Sequence, residues 1–204
     1  MKILLATHNP HKVFESTKIF KELFSEDLMI DGLEDANIVE DVEESASTLL
    51  GNAHLKAKAI FDLLKHNPYD YIISEDFGFF IEAFPHIAGV HAKRWKEGTE
   101  IDRAKAVLEL FKKNNEKNRS AKYVSVFVAI DKNGNTYEGV GELKGKIADY
   151  NIDTHNFKEG FAYDQILELE DGRVVSEYTK DEKAQISSRR EAIKTLIKHI
   201  KKEQ

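Results

Sequence analysis

The sequence predicts an α/β fold with some antiparallel strand pairing. Segments with helical and with strand periodicity alternate along the chain, which is typical of this class. The 204 residues include 41% hydrophobic and 32% charged side chains, a composition that predicts a compact globule with its own core. No linker rich in Pro, Gly or Ser divides residues 1–204, so we expect a single domain with at most two lobes around a groove.

The first strand is expected at residues 3–6 and passes directly into a helix. Asn9 is a favourable N-cap, and Pro10 suits the first helical position because no N–H is needed there. Apolar residues then recur at helical spacing to about Ser25, so this helix has one buried stripe.

A second helix is expected from Ser47, where apolar residues step by three or four. Asn52 and Lys56 lie four residues apart and therefore share another face of this helix. Two polar side chains thus point the same way.

A short β-prone run at residues 71–74 is expected to end at the acidic pair Glu75-Asp76, and Gly78 suggests a bend into another strand. Charge at the carboxyl end of an apolar strand falls where α/β proteins bind ligands. The acidic pair is therefore a candidate site.

The second half of the chain continues the alternation. The expected elements are a helix opened by a capping box at Thr99 and Asp102, strands at 123–130 and 136–142 joined by an Asn133-Gly134 turn, and a last helix with apolar positions from Ile193 to Ile200.

Composition and charge exclude several classes of protein. The chain has no cysteine, so it has no disulfide, no thiolate metal site and no thiol nucleophile. Its net charge of −6 has the wrong sign for binding a nucleic-acid polymer. We find no signal peptide, spanning segment, zinc motif or serine-hydrolase motif. We therefore expect a soluble cytoplasmic protein with no membrane partner.

The corner between the first strand and the first helix is a candidate phosphate site. Unpaired backbone N–H groups and the positive end of the helix dipole favour an anion there. Thr7 adds a hydroxyl, Asn9 an amide and Lys12 a cation. From spacing alone, the same residues also fit a capped helix with a surface lysine.

Carboxylates cluster at residues 40–44 and again at Glu75-Asp76. Mg²⁺ prefers oxygen ligands and uses one or two protein carboxylates together with substrate phosphates. Both clusters are therefore candidate magnesium sites, and the first also fits a solvated loop.

Two further groups could meet a flat heterocycle. Phe161 and Tyr163 lie in a glycine-flanked loop with Asp164, where the aromatic rings also fit core packing. Lys183 and residues 187–190 form a cationic patch at the start of the last helix. The arginines of this patch could bind a carbonyl or phosphate oxygen. The same residues also fit a solvated helix end.

Taken in chain order, six segments resemble the inosine triphosphate pyrophosphatase family, whose members hydrolyse non-standard purine nucleoside triphosphates to the monophosphate and pyrophosphate. Their order and spacing agree with the family nearly end to end. The segments are Thr7–Lys12 (T-x-N-x-x-K), Glu43-Glu44 with Asn52-Ala53 and Lys56-Ala57 (E-E…E-N-A-x-x-K-A), Ser74–Gly78 (A-D-D-S-G), Gly89–Arg94 (G-V-x-S-A-R-Y), Gly160–Asp164 (G-F-G-Y-D) and Lys183–Arg189 (K-x-x-x-S-H-R).

The resemblance implies an elongated mixed sheet flanked by helices, two lobes with the active-site groove between them, Mg²⁺ as cofactor and a homodimer. The expected activity is hydrolysis of ITP, dITP and XTP, which cleanses the nucleotide pool. Asp76 would orient or deprotonate the attacking water, and Lys56 would neutralise charge on the phosphates. Glu43 and Asp76 would bind the metal, with Glu44 as the alternative to Glu43.

The substrate-binding residues follow from the same resemblance. The triphosphate would lie against the first strand-to-helix corner, so Lys12 and Asp76 are expected to border one cavity. Phe161 would stack on the base, and the cationic patch would line the base pocket. The full set is Thr7, His8, Asn9, Lys12, Phe77, Phe161, Ala162, Tyr163, Asp164, Lys183, Ser188 and Arg189.

Several residues depart from the family pattern, mostly in the base pocket. Ser188 stands where the family has histidine, and Phe77 replaces a small serine beside Asp76. A serine hydroxyl can donate or accept, so rejection of the adenine amino group should weaken. The alternatives are a pyrophosphatase of broader or shifted nucleotide specificity and a nucleotide-binding relative without turnover. Gly51, Ala162 and Gln165 also differ from the pattern.

Overall fold

The computed structural model describes residues 1–64, 66–89, 95–149 and 162–202, and its α/β fold confirms the predicted class. The strands are β1 (Lys2–Leu5), β2 (Met29–Gly32), β3 (Tyr71–Ile81), β4 (Ala88–Gly89), β5 (Ser120–Asp131), β6 (Thr136–Ile147) and β7 (Leu167–Glu168). The helices are α1 (Pro10–Leu23), α2 (Leu49–Leu63), α3 (Glu100–Asn114), α4 (Lys180–Ile186) and α5 (Ser188–Lys202), with 3₁₀ turns at Ala162–Gln165 and Val175–Glu177.

One mixed sheet contains these strands in the order β2-β1-β3-β5-β6-β7, with β4 paired to β3. β1 is parallel to both β2 and β3, whereas the β3–β4 and β6–β7 pairs are antiparallel. The chain leaves β1 towards β2 through α1 and returns past β1 to β3 through α2. The carboxyl end of β1 is therefore the point where the strand order reverses, which is where open α/β sheets bind ligands.

The chain packs into two compact units. Unit 1 comprises Met1–Phe77, Ser125–Glu142 and Ser187–Gln204, and unit 2 comprises Gly78–Val124 and Leu143–Ile186. The strands β3, β5 and β6 contribute residues to both units.

Unit 1 buries both faces of its part of the sheet. Right-handed crossovers place α1 and α2 on opposite faces, and side chains alternate between the faces along each strand. Ile73 of β3 packs with Phe20 of α1 and Ile193 of α5 on one face. Its neighbour Ile72 packs with Ile60 of α2 on the other. Alternation along β3 thus decides which helix each of its side chains meets.

β3 runs without a break through Glu75, Asp76 and Gly78, so the expected strand end and the expected bend are both wrong. Gly78 has a packing reason instead. A Cβ atom at this position would lie 2.8 Å from the carbonyl oxygen of Gly89 on the adjacent β4. Glycine therefore permits close pairing of two strands.

The capping predictions are confirmed. The side chain of Asn9 caps α1, with Pro10 in the first turn, and Thr99 and Asp102 form the capping box of α3. The elements that were not predicted include β2, β4 and α4. Lys183 lies on α4, whereas Ser188 begins α5, so the expectation of one cationic helix start is wrong.

Helix α5 lies directly on β6 because two glycines remove the side chains between them. A Cβ atom at Gly139 would overlap the carbonyl oxygen of Ala192, and one at Gly141 would overlap the backbone of Ser188 and Ala192. The hydroxyl of Ser188 also lies 2.9 Å from that of Ser125 on β5, and both side chains are buried. The first turn of α5 is therefore fixed against the sheet.

Replacing Gly141 by alanine is expected to destabilise the protein by about 3 kcal/mol, since overpacking against backbone cannot be relieved by a rotamer change. Urea unfolding followed by circular dichroism measures this. The neighbouring Val140 is 46% exposed, so Val140→Thr is the control and should cost about 0.5 kcal/mol or less. Equal losses in the two variants would contradict the close seating of α5.

Candidate functional site

The corner between β1 and α1 is closed by its own side chains. The Oγ1 atom of Thr7 accepts a hydrogen bond from the Asn9 N–H at 3.1 Å. The Oδ1 atom of Asn9 accepts from the N–H groups of His11 and Lys12 at 3.0 and 3.3 Å. The expectation of unpaired backbone donors is therefore wrong for His11 and Lys12. An anion here would meet the Thr7 hydroxyl, the Asn9 amide group and the Lys12 ammonium.

A cavity of about 350 Å³ opens beside this corner. Among the described residues, its lining includes neither Lys12 nor Asp76. A cavity shared by these two side chains thus stays a prediction. His8 is one of the residues that line the cavity, and its Nε2 atom lies 3.0 Å from the carbonyl oxygen of Glu40. The lining residues are Thr7, His8, Pro10, Val13, Phe14, Thr17, Gly32, Glu34 and Asp35.

Glu75 and Asp76 point to opposite faces of β3. Glu75 contacts Lys12 of α1 and Arg189 of α5, whereas Asp76 contacts α2. Both lie beyond the last registered pair of β1 and β3, Leu5 with Ile73. β1 has ended before this level. The acidic pair therefore lies at the carboxyl end of the parallel strands, with one side chain on each face of the sheet.

The carboxylate of Glu75 is buried between two cations. Its side chain is 4% exposed, and its Oε2 atom lies 3.5 Å from Lys12 Nζ. Arg189 donates to both carboxylate oxygens, at 2.9 and 3.2 Å. Burial alone would raise the pKa of Glu75, but the charges of Lys12 and Arg189 outweigh it and hold the pKa below its ordinary value. Glu75 is therefore ionised and paired with two cations.

Two residues of α2 bond Asp76, and they are the two that the helical spacing placed on one face. Asn52 Nδ2 donates to Asp76 Oδ2 at 3.2 Å, and Lys56 Nζ donates to Oδ1 at 3.4 Å. Asn52 is buried and also accepts from the Ala46 N–H at 2.9 Å. Burial raises the pKa of Asp76 and Glu44 adds to the rise, while Lys56 and Asn52 oppose it. The result is a partly desolvated carboxylate beside an ammonium.

Glu44, rather than Glu43, faces this cluster. Lys56 Nζ lies 2.7 Å from Glu44 Oε1, and the side chain of Glu43 is exposed. Within the described ranges, no group of three or more His, Cys, Asp or Glu side chains could by itself hold a metal ion. The carboxylates of Glu44 and Asp76 both contact Lys56 Nζ. This pair of carboxylates fits Mg²⁺, which needs only one or two protein carboxylates when phosphates and water complete its shell.

In unit 2, Asp164 and Lys183 form an ion pair. Lys183 Nζ donates to Asp164 Oδ2 at 3.0 Å, and the hydroxyl of Tyr123 donates to Oδ1 at 2.9 Å. Burial, followed by the charge of Asp164, raises the pKa of Tyr123 well above its ordinary value. The phenol therefore stays protonated and fixes the carboxylate.

Tyr163 belongs to an aromatic cluster of unit 2. Its ring stacks on Phe79 at a centroid distance of 4.4 Å, and its hydroxyl accepts from Trp95 Nε1 at 2.6 Å. Ala162 opens the adjacent 3₁₀ turn. Phe161, Gly160 and the motif residues 90–94 lie outside the described residues, so the stacking role of Phe161 stays a prediction.

Three other predicted site residues have defined positions in unit 1. Ser188 is 3% exposed and bonded to Ser125, and Arg189 is bonded to Glu75 and Glu15. Phe77 is half-buried on β3. Glu75 was expected in an acidic site, but its pairing with Arg189 was not predicted, and Tyr123 was given no role, because the partners of both residues are distant in sequence. For Asn52 the sequence did give a signal, since its spacing of four from Lys56 places both side chains on one face of α2.

Fold and site together define an α/β protein with a site of lysines, carboxylates and an asparagine at the strand-order reversal. The sequence profile of the Ham1 family matches residues 3–199. The chain belongs to this family, which confirms the resemblance found in the sequence.

Relatives named dITP/XTP pyrophosphatase match nearly the whole chain. A dITP/XTP pyrophosphatase of Thermoanaerobacter sp. (strain X514) is 32% identical over 99% of this chain and 98% of the relative. A dITP/XTP pyrophosphatase of Symbiobacterium thermophilum is 33% identical over 98% and 94%. The solved structure of the Staphylococcus aureus Ham1 protein matches with a TM-score of 0.82 and 26% identity, covering 100% of both chains.

No helix in the described part of the chain has the length and apolar character needed to span a bilayer.

Proposed function

We propose that this protein hydrolyses non-standard purine nucleoside triphosphates, such as dITP, ITP and XTP, to the nucleoside monophosphate and pyrophosphate. Membership of the Ham1 family and relatives named dITP/XTP pyrophosphatase support this activity. The observation that carries the proposal is the Asp76 carboxylate, bonded to Asn52 and Lys56 at the reversal of strand order.

In the proposed mechanism, the triphosphate lies across the carboxyl end of β1. The hydroxyl of Thr7, the amide of Asn9 and the ammonium of Lys12 hold phosphate oxygens from the α1 side. Lys56 meets them from the α2 side, and its charge stabilises the negative charge that grows on the phosphates as the bond to the α-phosphorus breaks.

Asp76 takes the role of general base in this mechanism. One carboxylate oxygen orients the attacking water and accepts its proton, while Asn52 holds the other oxygen in place. Pyrophosphate leaves towards the lysines. The raised pKa of Asp76, caused first by burial, gives the carboxylate more basicity than an exposed aspartate has.

Mg²⁺ fits the donor set, and we propose Asp76 with Glu44 as its protein ligands. Glu43 was the residue expected from the sequence, and Glu44 is supported by its position beside Lys56. When bound, the ion would supply charge neutralisation and phosphate orientation.

Lys183 and Asp164 are the residues proposed to recognise the base. Lys183, held by Asp164, suits the carbonyl group that hypoxanthine and xanthine carry where adenine has an amino group. Phe161 is the proposed stacking residue. We also propose a cytoplasmic homodimer, as the family resemblance implies, and sedimentation equilibrium tests the dimer.

The test is a substrate panel at millimolar Mg²⁺ with separate assays for pyrophosphate and orthophosphate. ITP, dITP and XTP should release pyrophosphate with a specificity constant at least tenfold above that for ATP, a ratio that one well-placed polar contact provides. Release of orthophosphate, or no turnover of any purine triphosphate, would refute the proposal.

A second candidate is a pyrophosphatase of broader specificity. The buried Ser188–Ser125 hydroxyl pair favours it, because a serine engaged in this way cannot repel an adenine amino group as a histidine can. Equal specificity constants for ITP and ATP in the same panel would select this candidate.

A further inference from the structure

Helix α4 carries Lys183 but has no buried side chain to fix its position. The structure describes all seven of its residues, Lys180–Ile186, and none of them is buried. A helix this short is not stable by itself, because isolated helices of fewer than about 12 residues are marginal in water. Polar contacts must therefore hold α4, and with it Lys183, in place.

Glu182 makes most of the polar contacts at the start of α4. Its N–H donates to Thr179 Oγ1 at 3.2 Å, and its Oε2 atom accepts from the Thr179 N–H at 2.8 Å. Its Oε1 atom accepts from Arg173 Nη1 at 3.1 Å. Arg173 belongs to the turn that follows β7, so this ion pair connects α4 to a second part of the chain. The next residue after Glu182 is Lys183.

The guanidinium of Arg173 is itself fixed by two neighbours. Its Nε atom donates to Asp171 Oδ2 at 2.8 Å, and its central carbon lies 3.7 Å from the ring centroid of Tyr178. The hydroxyl of Tyr178 donates to Asp171 Oδ1 at 2.6 Å. Tyr178 lies two residues before α4 and Glu182 lies in its first turn. Arg173 therefore contacts the chain on both sides of the helix start.

These contacts are too exposed to contribute much to global stability. The side chains of Arg173, Asp171 and Glu182 are 42%, 46% and 44% exposed, and ion pairs with this exposure stabilise a fold only slightly. Loss of Arg173 should therefore leave the protein folded and change the local order of α4.

We propose that Arg173 is a positioning residue for base recognition, which holds the start of α4 through Glu182 and Tyr178 and so sets Lys183 in place before the nucleotide binds. Arg173 itself contacts neither base nor phosphate in this account. A side chain that is already ordered loses less entropy on binding, which increases affinity. The inference rests on the role given to Lys183 in the proposed function.

Two ligands test this role of Arg173 by calorimetry. The α,β-methylene analogue of ITP has a base and a bridge that hydrolysis between the α- and β-phosphates cannot cleave, and inorganic tripolyphosphate has no base. Arg173→Met should lower affinity for the analogue roughly three- to tenfold, as expected if the competent arrangement is populated to about a third to a tenth. Affinity for tripolyphosphate should be unchanged. An unchanged affinity for the analogue, or an equal loss for both ligands, would overturn the inference.

A double-mutant cycle shows whether Arg173 acts through Lys183. If it does, adding Arg173→Met to Lys183→Met should cause no further loss of affinity for the analogue, because the side chain that Arg173 positions is already absent. A merely structural effect of Arg173 would add to the loss caused by Lys183→Met. Additive losses would therefore overturn the inference.

Lys180→Met is the matched control, since it removes the same charge from the exposed first position of α4. Affinity for both ligands should be unchanged, because salt screens exposed charges. A loss equal to that of Arg173→Met would indicate an effect of net charge and would overturn the inference.

The binding assay separates this inference from the proposed function because it needs no turnover. Failure of the wild-type protein to hydrolyse ITP would refute the proposed function and leave the binding comparison valid. A wild-type protein that binds the analogue no more tightly than tripolyphosphate would overturn the inference, since Lys183 would then read no base.

Discussion

Replacing Asp76 by asparagine is expected to lower kcat for ITP roughly a thousandfold, within the range of losses seen when a general base is removed. Asparagine has nearly the same shape and can still bond Asn52, but it cannot accept a proton from water. The remaining cations should keep nucleotide binding measurable. Steady-state kinetics with pyrophosphate detection gives kcat, and calorimetry with ITP gives the affinity.

Asp62→Asn is the control for this substitution. Asp62 lies on α2, and its side chain is 55% exposed and paired with Lys58, so the same chemical change there should leave kcat unaltered. If kcat is also unaltered in Asp76→Asn, Asp76 is not the general base.

Replacing Lys56 by methionine is expected to lower kcat by roughly a hundred- to a thousandfold, the cost of losing one group that stabilises transition-state charge. Methionine keeps the apolar stem but has no charge, and it leaves the carboxylates of Glu44 and Asp76 without their common cation. The rise in KM should be smaller than the fall in kcat, because the ammonium matters most when phosphate charge is greatest.

Lys58→Met provides the comparison on the same helix. Lys58 is 64% exposed and pairs with Asp62, so its loss should change neither kcat nor KM. If Lys56→Met raises KM alone, Lys56 contributes only to ground-state binding, and its catalytic assignment is wrong.

Local signals in the sequence located much of the site. Asn9 and Pro10 predicted the start of α1, because a cap depends on residues within one turn. Asn52 and Lys56 were placed on one face by a spacing of four, and both contact Asp76. These features depend on contacts within a turn or along one helix face, so periodicity is enough to find them.

Contacts between distant segments could not be found in this way. Glu75 looked like the end of a strand because charged residues are rare inside one. β3 continues because the carboxylate is paired with Arg189, 114 residues away. Ser188 resembled a pocket residue by motif position, yet the approach of Gly141 and Ser125 buries it. Only tertiary packing decides these environments.

The alternation of side chains along β3 gives the adjacent carboxylates of Glu75 and Asp76 different environments. One acidic residue faces α1 and α5 and is neutralised by two cations, and the next faces α2 and keeps a raised pKa through burial. A one-residue shift in the register of β3 would exchange these environments. The order of the pair is therefore as important to the proposed chemistry as its presence.

Hydrolysis of ITP in ¹⁸O-enriched water, with mass spectrometry of both products, tests the central claim most directly. Water activated by Asp76 attacks the α-phosphorus in our account, so the label should appear in inosine monophosphate and the pyrophosphate should be unlabelled. Label in pyrophosphate, or orthophosphate as a product, would contradict the account.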